Sequence, residues 1–212
     1  AWRRDKDGHI HSASFGSIGE RAHGGRFGNT FTCNGSTNHQ LQVRAGERVR
    51  FRFCNVANAS SFAVQIADHD AHIIAIDGQP VKPFKADKGV ILLSPGQRVD
   101  AMVDMTGKPG SMSKVRLLGF EQEVSVGTLV YAANEIARNG LLDADIQLAA
   151  NPLPTNLDLP NAADATLTME GGAMGGMRGA KVDGQFYDMQ RLVQQFGYVW
   201  SFNGTAGMPD EP

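Results

Sequence analysis

Histidines at metal-ligand spacing are the first residues in this chain that could do chemistry. His9 and His11 are one residue apart, and His69 and His72 flank Asp70. Alternate residues of a strand share a face, and His-x-x-His can close on one ion, so either pair could hold a transition metal. The first pair lies in a polar segment with no obvious third ligand, and the second lies in a loop entering a strand. We therefore expect surface or structural histidines, with metal binding as the alternative.

The cysteines are the second candidate ligands, and the chain has only Cys33 and Cys54. A blue copper site needs two imidazoles and one thiolate. Neither cysteine has a histidine beside it, and neither is followed soon by a histidine and a methionine. We predict buried structural thiols at two strand positions. A disulfide between them is the alternative, which the sequence leaves open because its geometry cannot be judged from spacing.

Methionines near the C-terminus form the third candidate set: Met169, Met174, Met177 and Met189. A thioether sulfur is a soft ligand suited to Cu(I). The stretch from Gly171 to Gly179 is rich in glycine and methionine but lacks a repeated Met-x-x-Met pattern and clustered histidines. We expect a flexible linker with incidental methionines, and a copper-binding tail is the alternative.

Composition excludes several classes of protein. His23 and His39 stand in turn-rich stretches and carry no signal, so no further imidazole suggests a site. A net charge of -2, with acidic and basic residues interleaved, offers no basic patch for nucleic acid. No apolar run approaches the roughly 18 residues of a membrane span. With 42% hydrophobic residues and 25 glycines, the chain is expected to bury a core of short strands joined by turns.

Alternating apolar residues predict the strands that would position these side chains. Leu41 and Val43, then Val49, Phe51 and Phe53, read as two strands paired as a hairpin across a turn at 44–47. Further strands are predicted around residues 62–66, 73–76, 90–93, 99–103, 115–117 and 129–131, with a turn at 77–80. Strands at this spacing predict an all-β sandwich or barrel.

The composition changes near residue 150. Residues 151–164 contain several prolines and read as an extended linker. Beyond it we predict a strand at 165–169, a short helix at 188–196, and a strand through Tyr198, Trp200 and Phe202 that runs into a turn at Asn203. This region is an irregular C-terminal extension, expected to open a further domain over residues 165–212.

Three segments resemble the second domain of bacterial multicopper oxidases. They are residues 26–58, with the core Leu-Gln-Val-Arg-Ala-Gly-Glu-Arg-Val-Arg-Phe-Arg-Phe-Cys-Asn, residues 72–81, and residues 92–100 with Leu-Leu-Ser-Pro-Gly-Gln-Arg-Val-Asp. The entry segment around Trp2 and Ser14–Gly16 is similar to the start of that domain, and residues 183–204 are similar to the lead-in to the third. The resemblance implies a Greek-key β-sandwich of cupredoxin type over residues 1–150.

The resemblance also implies where the copper of such an enzyme lies. In three-domain members the ligands belong to the first and third domains, so we expect no copper and no catalytic residue in this chain. The parent would oxidise phenols, aromatic amines or metal ions and reduce dioxygen to water. The first and third cupredoxin domains would be the partners of this one, and a periplasmic or secreted location is expected. The chain begins at Ala1 without an initiator methionine, and we expect it to be a segment of a longer protein.

Overall fold

The computed structural model describes residues 3–10, 16–121, 123–140, 145–146, 148–152 and 156–207. The chain divides into two compact units, which are described separately. The first unit comprises residues 1–10 and 27–153, and the second comprises residues 11–26 and 154–212. The domain boundaries expected near residues 150 and 164 stay predictions.

Two packed sheets form the first unit. Its strands are β1 (His39–Ala45), β2 (Arg48–Cys54), β3 (Phe62–Ile66), β4 (Ala71–Ile76), β5 (Gln79–Lys85), β6 (Val90–Leu93), β7 (Arg98–Asp104), β8 (Met112–Leu118) and β9 (Val124–Ile136). One sheet has the order β1-β9-β8-β3-β6 and the other the order β2-β7-β4-β5. The pair β1–β9 is parallel and the other pairs are antiparallel. The predicted all-β sandwich is confirmed.

Strict alternation places one face of each sheet in the core. In β7, Val99, Ala101 and Val103 are buried while the residues between them are partly or fully exposed. A strand presents successive side chains to opposite faces, so this pattern requires one solvated and one packed face. The buried side chains of both sheets meet in one cluster that includes Leu129 and Tyr131. Burial of this apolar surface is the main stabilising term of the unit.

The expected hairpin between the first two strands is wrong. β1 pairs with β9 and β2 pairs with β7, so the turn at 44–47 carries the chain from one sheet to the other. Gly46 has a positive φ of 77°, and a Cβ there would lie 2.3 Å from the carbonyl oxygen of Arg138. The backbone of Met105 also exchanges hydrogen bonds with Gly46 and Glu47. Only glycine fits this close approach. The turn itself is thus where the sequence predicts it, but it connects two sheets rather than two paired strands.

The turn predicted at 77–80 connects β4 and β5, which form a hairpin. The strand β5 was not predicted. Asp77 and Gly78 both have positive φ, as a two-residue hairpin turn requires. β5 then pairs with β4 over a segment containing Pro80 and Pro83. Proline cannot donate to a ladder, which argues against a central strand. β5 lies at the edge of its sheet, where the missing donors are tolerated.

The second unit contains short elements. They are α1 (Ile18–Ala22), β10 (Met169–Gly171), β11 (Gly179–Val182), β12 (Gln185–Asp188), α2 (Met189–Arg191) with a π-helical turn at Leu192–Phe196, and β13 (Trp200–Phe202). Among the described residues there are also 3-10 turns at Asp87–Gly89 in the first unit and at Leu159–Asn161 in this one. The predicted helix at 188–196 and the final strand are confirmed. The strand expected at 165–169 begins only at Met169, where β10 pairs with β13.

Hydrogen bonds tie α1 into the second unit. Trp200 Nε1 donates to the Arg21 carbonyl at 2.7 Å, and the Ala173 amide donates to the Ala22 carbonyl at 2.8 Å. Leu192, which is fully buried, packs with Val182 and other apolar residues in a small core of its own. Among the described residues, no helix is long and apolar enough to cross a membrane.

Candidate functional site

One end of the sandwich opens into a cavity of about 680 Å³. Its floor is made of apolar side chains from both sheets, among them Phe62, Leu93 and Leu117. The rim carries Arg52, Asn55, Cys33 and Cys54 together with other polar residues. A cavity of this size with an apolar floor and a few polar groups is typical of a small-molecule site. Both cysteines considered as copper ligands therefore lie around one space.

Cys33 sits in a tight turn rather than in a strand. The Cys33 amide donates to the Ser36 carbonyl at 2.8 Å, and the Ser36 amide donates back at 3.0 Å. Asn34 and Gly35 between them both have positive φ. The side chain is half-buried against the apolar core, and this burial raises the pKa of the Cys33 thiol. A raised pKa keeps the thiol protonated at neutral pH, which disfavours metal binding.

Cys54 is exposed, so the expectation of a buried thiol is wrong for this residue. It ends β2 on the face shared by Arg50 and Arg52, while Phe51 and Phe53 face the core. The prediction failed because the alternation of β2 places even-numbered residues outside the core. Both cysteines are free thiols in the structure, which therefore contains no disulfide between them.

Asn55 holds the loop after β2 at the rim of the cavity. Its side-chain amide donates to the Ser60 carbonyl at 2.8 Å and to the Leu93 carbonyl at 3.0 Å, and its Oδ1 accepts from the Ala57 amide at 2.9 Å. The residue is buried at 3% exposure, so each of these bonds replaces one to water. Sequence reasoning missed this residue, although Asn after a strand is a signal for such a turn.

A second, polar cavity of about 510 Å³ surrounds the His69–His72 segment. It is lined by Gln65, Asp68, His69, Asp70, His72, Lys88, Asp104, Thr106 and Arg116. Asp70 pairs with Lys85 at 2.8 Å, and Asp104 forms a two-point ion pair with Arg48. Asp70 and Asp104 therefore already have cationic partners. With Asp68 included, the described side chains around the two histidines still form no group of three that could hold a metal ion.

His69 points into the core. Its Nδ1 lies 2.6 Å from the Ala67 carbonyl oxygen, and its Nε2 lies 2.5 Å from the Tyr131 hydroxyl oxygen. The residue is only 7% exposed. Both ring nitrogens are engaged, so a metal ion would have to displace one of these bonds. Sequence reasoning did not single out Tyr131, although an inward-facing tyrosine in an apolar strand needs a polar partner for its hydroxyl.

The remaining histidines lie apart from these groups. His9 is exposed and lies 3.6 Å from Asp5, and His11 lies outside the described residues. His23 is exposed at the end of α1. His39 begins β1, where its Nε2 lies 3.3 Å from the Asn34 side chain.

The C-terminal methionines differ in accessibility. Met177 is buried at 6% exposure in the core of the second unit, and Met189 packs against that core. Met174 is 96% exposed and Met169 is 59% exposed. A buried thioether that fills a core is unavailable to an incoming ion without local opening. Met177 and Met189 therefore belong to a core, whereas the thioethers of Met169 and Met174 are accessible.

Copper is the metal that the resemblance implies, and the donor chemistry of the described residues does not fit it. No group of three or more His, Cys, Asp or Glu side chains in this part of the chain could hold a metal ion. Cys33 packs against apolar core residues and Cys54 shares its strand face with arginines, so neither thiol stands beside paired imidazoles. The absence of copper from the whole chain stays a prediction.

Comparison with known proteins decides the family. The model of the family described as "Multicopper oxidase" matches residues 16–132, more than half of the chain. This chain belongs to the multicopper oxidase family. Its first-unit sandwich is thus the cupredoxin-type fold of that family, and the predicted resemblance is confirmed.

Relatives in plants and bacteria are similar to parts of this multicopper oxidase chain. Laccase-8 of Oryza sativa subsp. japonica is 30% identical over 107 residues, which are 47% of this chain and 19% of the relative. The cell division protein FtsP of Dickeya dadantii is 28% identical over 189 residues, which are 82% of this chain and 38% of the FtsP chain. The chain thus spans less than two-fifths of either relative.

Solved structures of bacterial multicopper oxidases share the fold. The enzyme of Pseudomonas thermotolerans superposes with a TM-score of 0.57 at 26% identity, covering 71% of this chain and 34% of the other. The enzyme of Pseudomonas parafulva also gives a TM-score of 0.57, at 25% identity, covering 76% of this chain and 38% of the other. In each case this chain corresponds to about a third of the longer protein.

Proposed function

We propose that this chain is the metal-free central domain of a multicopper oxidase, which holds the copper-bearing first and third domains at a fixed separation. The observation that carries the proposal is the family match over residues 16–132, a segment in which neither cysteine is accompanied by neighbouring histidines. Residues 1–150 would form this domain, 151–164 a proline-rich linker, and 165–212 the start of the third domain. Such a role is positional rather than chemical.

A rigid sandwich suits a spacer. In the sheet that contains β2, the strand β7 forms main-chain hydrogen bonds with both β2 and β4. Ion pairs also join the side chains of β2 and β7 on the outer face of this sheet. Reacting groups that are displaced by about 1 Å can lose about 100-fold in rate, so a spacer between two catalytic domains must be stiff. The packed core and the paired charges supply that stiffness.

The outer face of the other sheet offers a surface for a neighbouring domain. Leu92 of β6 and Leu118 of β8 are both register partners of Ala63 in β3, so the three form an apolar row across three strands. Leu92 is 71% exposed. Contiguous exposed apolar patches are typical of interaction surfaces. We propose that this row contacts a domain of the longer protein that lies outside this chain.

The parent protein would oxidise phenols, aromatic amines or metal ions and reduce dioxygen to water, with its copper held by the neighbouring domains. A periplasmic or secreted location is part of the same proposal. The alternative function is a copper- or protein-binding module that uses the methionine tail. In that module Met169 and Met174 would supply the binding groups, because their thioethers are accessible.

Copper titration of this chain separates the two functions. Isothermal titration with Cu(II), and with Cu(I) under anaerobic conditions, is expected to show no tight stoichiometric site. One equivalent of tightly bound copper would contradict the spacer. If Met174→Leu then abolished that binding while Leu157→Met left it unchanged, the methionine tail would be the site instead.

The spacing role is tested in the longer protein that contains this chain. Leu92→Asp should leave the melting temperature of this chain nearly unchanged, because the side chain is exposed, but should lower oxidase activity in the longer protein. Gln42→Asp, an exposed outer-face change on β1, is the matched control. Equal activity of both variants would remove the row as an interdomain contact.

A further inference from the structure

A buried polar contact in the sandwich core joins a phenol to an imidazole. The Tyr131 hydroxyl oxygen lies 2.5 Å from His69 Nε2. Tyr131 is 2% exposed and His69 is 7% exposed. The residues come from different parts of the chain, β9 and the turn before β4, and a spacer role needs no such pair.

The second nitrogen of the imidazole fixes the direction of this hydrogen bond. His69 Nδ1 lies 2.6 Å from the Ala67 carbonyl oxygen, which can only accept. In the neutral ring the proton is therefore on Nδ1, and Nε2 carries the lone pair. Tyr131 consequently donates its O–H to His69 Nε2. The phenol has a base in place at hydrogen-bond distance.

The other groups around the Tyr131 hydroxyl are a buried thioether and the backbone of a glycine. Met105 Sδ lies 3.7 Å from the Tyr131 hydroxyl oxygen, and Met105 is fully buried. The ring packs on Gly107, where a Cβ would lie 2.4 Å from a ring carbon. Burial raises the pKa of Tyr131, although a hydrogen bond from the Gly107 backbone opposes the rise. Simple loss of a proton to water is thus disfavoured, and the imidazole is the proton acceptor at hand.

His69 also lines the polar cavity described above. The polar cavity that includes His69 also contains the carboxylates of Asp68, Asp70 and Asp104. The opposing groups in the same cavity are Lys88, Arg116 and His72, and Lys85 and Arg48 pair with two of the carboxylates. His69 thus lies between the buried phenol of Tyr131 and this polar cavity.

We propose that Tyr131 is a one-electron redox site whose phenolic proton is taken up by His69. A high-potential one-electron oxidant, such as a metal complex, removes one electron from the phenol. The O–H bond breaks as a new N–H bond forms at His69 Nε2, giving a neutral tyrosyl radical, an imidazolium and the reduced oxidant. One electron from a reductant returns the proton to oxygen and restores the phenol. This site is independent of the spacing role.

The experiment uses this chain with Tyr187→Phe and Tyr198→Phe, which leaves Tyr131 as the sole tyrosine because the chain has three. Photogenerated ruthenium(III) polypyridine serves as the oxidant. We expect a tyrosyl radical by transient absorption and electron paramagnetic resonance, formed more slowly in D2O because a proton moves with the electron. His69→Gln, which can still hydrogen-bond but is not basic, should slow its formation about 100-fold, as for loss of a positioned base.

Controls separate this chemistry from background oxidation. Adding Tyr131→Phe must abolish the tyrosyl signal and leave only radicals from other oxidisable side chains, such as Trp2, Trp200 and the free thiols, which have distinct spectra. The proposal is overturned if the variant with Tyr187→Phe and Tyr198→Phe forms no tyrosyl radical, or if His69→Gln leaves the rate of radical formation unchanged. If His69→Gln fails to fold, as judged by circular dichroism, the D2O comparison decides: equal rates in both solvents overturn the coupled proton transfer.

Discussion

Arg48 and Asp104 are direct register partners on β2 and β7, and their side chains meet in a two-point ion pair. Arg48 Nε lies 2.7 Å from Asp104 Oδ1, and Nη2 lies 2.9 Å from Oδ2. The side chains are only 14% and 20% exposed. A guanidinium and a carboxylate match in this geometry, and charge-assisted bonds of this kind are stronger than neutral ones. The pair therefore fastens the β2 edge of its sheet.

Asp104→Asn is expected to lower the free energy of unfolding by about 2 kcal/mol, the typical value of hydrogen bonds to a charged group. The hydrogen bond from Arg48 lowers the pKa of Asp104 in the folded protein. The stabilisation that this ion pair gives is therefore fully present above about pH 3.9, the pKa of an Asp carboxyl in the unfolded chain. It is lost as the pH falls through the lower pKa that Asp104 has in the folded protein. Urea unfolding of both proteins between neutral and acidic pH measures this difference, which should shrink on acidification.

Asp70→Asn is the matched control for this ion pair. Its partner Lys85 lies 2.8 Å away, but the two side chains are 63% and 55% exposed. Exposed pairs contribute less than about 1 kcal/mol because water and salt screen them. An equal loss of stability in the two variants would contradict the role assigned to Arg48 and Asp104.

Asn55→Ala is expected to cost about 3 kcal/mol, since it leaves buried carbonyl and amide groups without partners. The groups that lose a bond are the carbonyls of Ser60 and Leu93 and the amide of Ala57. Asn55→Asp should be no better, because its carboxylate cannot donate to the two carbonyls. Thermal unfolding compares both with Ser61→Ala, a change at an exposed residue of the same loop. Wild-type stability in Asn55→Asp would contradict this account.

Local patterns predicted most of the strands, and long-range pairing was beyond them. The alternation of Val99, Ala101 and Val103 identified β7 directly. The turn at 44–47 resembles a hairpin because its residues suit any tight turn, and only the pairing of β1 with β9 and of β2 with β7 shows that it crosses between sheets. Register between distant strands depends on the whole fold, so sequence spacing alone cannot supply it.

The candidate sites show the same division. Cys33 and Cys54 were recognised as thiols without histidine neighbours, a fact of sequence that the structure cannot change. Their different burial depends on which strand face the second one occupies. The contact between His69 and Tyr131 joins residues 62 positions apart, and no local signal links them.

The two free thiols should react at different rates. Cys54 is exposed, while burial raises the pKa of Cys33 and lowers its thiolate fraction. In a native titration with Ellman's reagent we expect two kinetic phases. Cys54→Ser should remove the fast phase and Cys33→Ser the slow phase. A protein that shows no free thiol until it is reduced would contain the disulfide that the structure lacks.

Gly107→Ala tests the packing around the phenol. The new Cβ would lie 2.4 Å from a ring carbon of Tyr131, a buried side chain that cannot swing into solvent. Overpacking of this kind costs about 1–3 kcal/mol because the ring or the backbone must shift. Gly19→Ala is the control: nothing lies within 4 Å of its added Cβ, and alanine favours its helix by up to about 1 kcal/mol. The melting temperature should therefore fall for Gly107→Ala and stay the same or rise for Gly19→Ala.

Equal melting temperatures for Gly107→Ala and wild type would mean that the Tyr131 ring has room to move, and that its hydrogen bond to His69 is not held by packing.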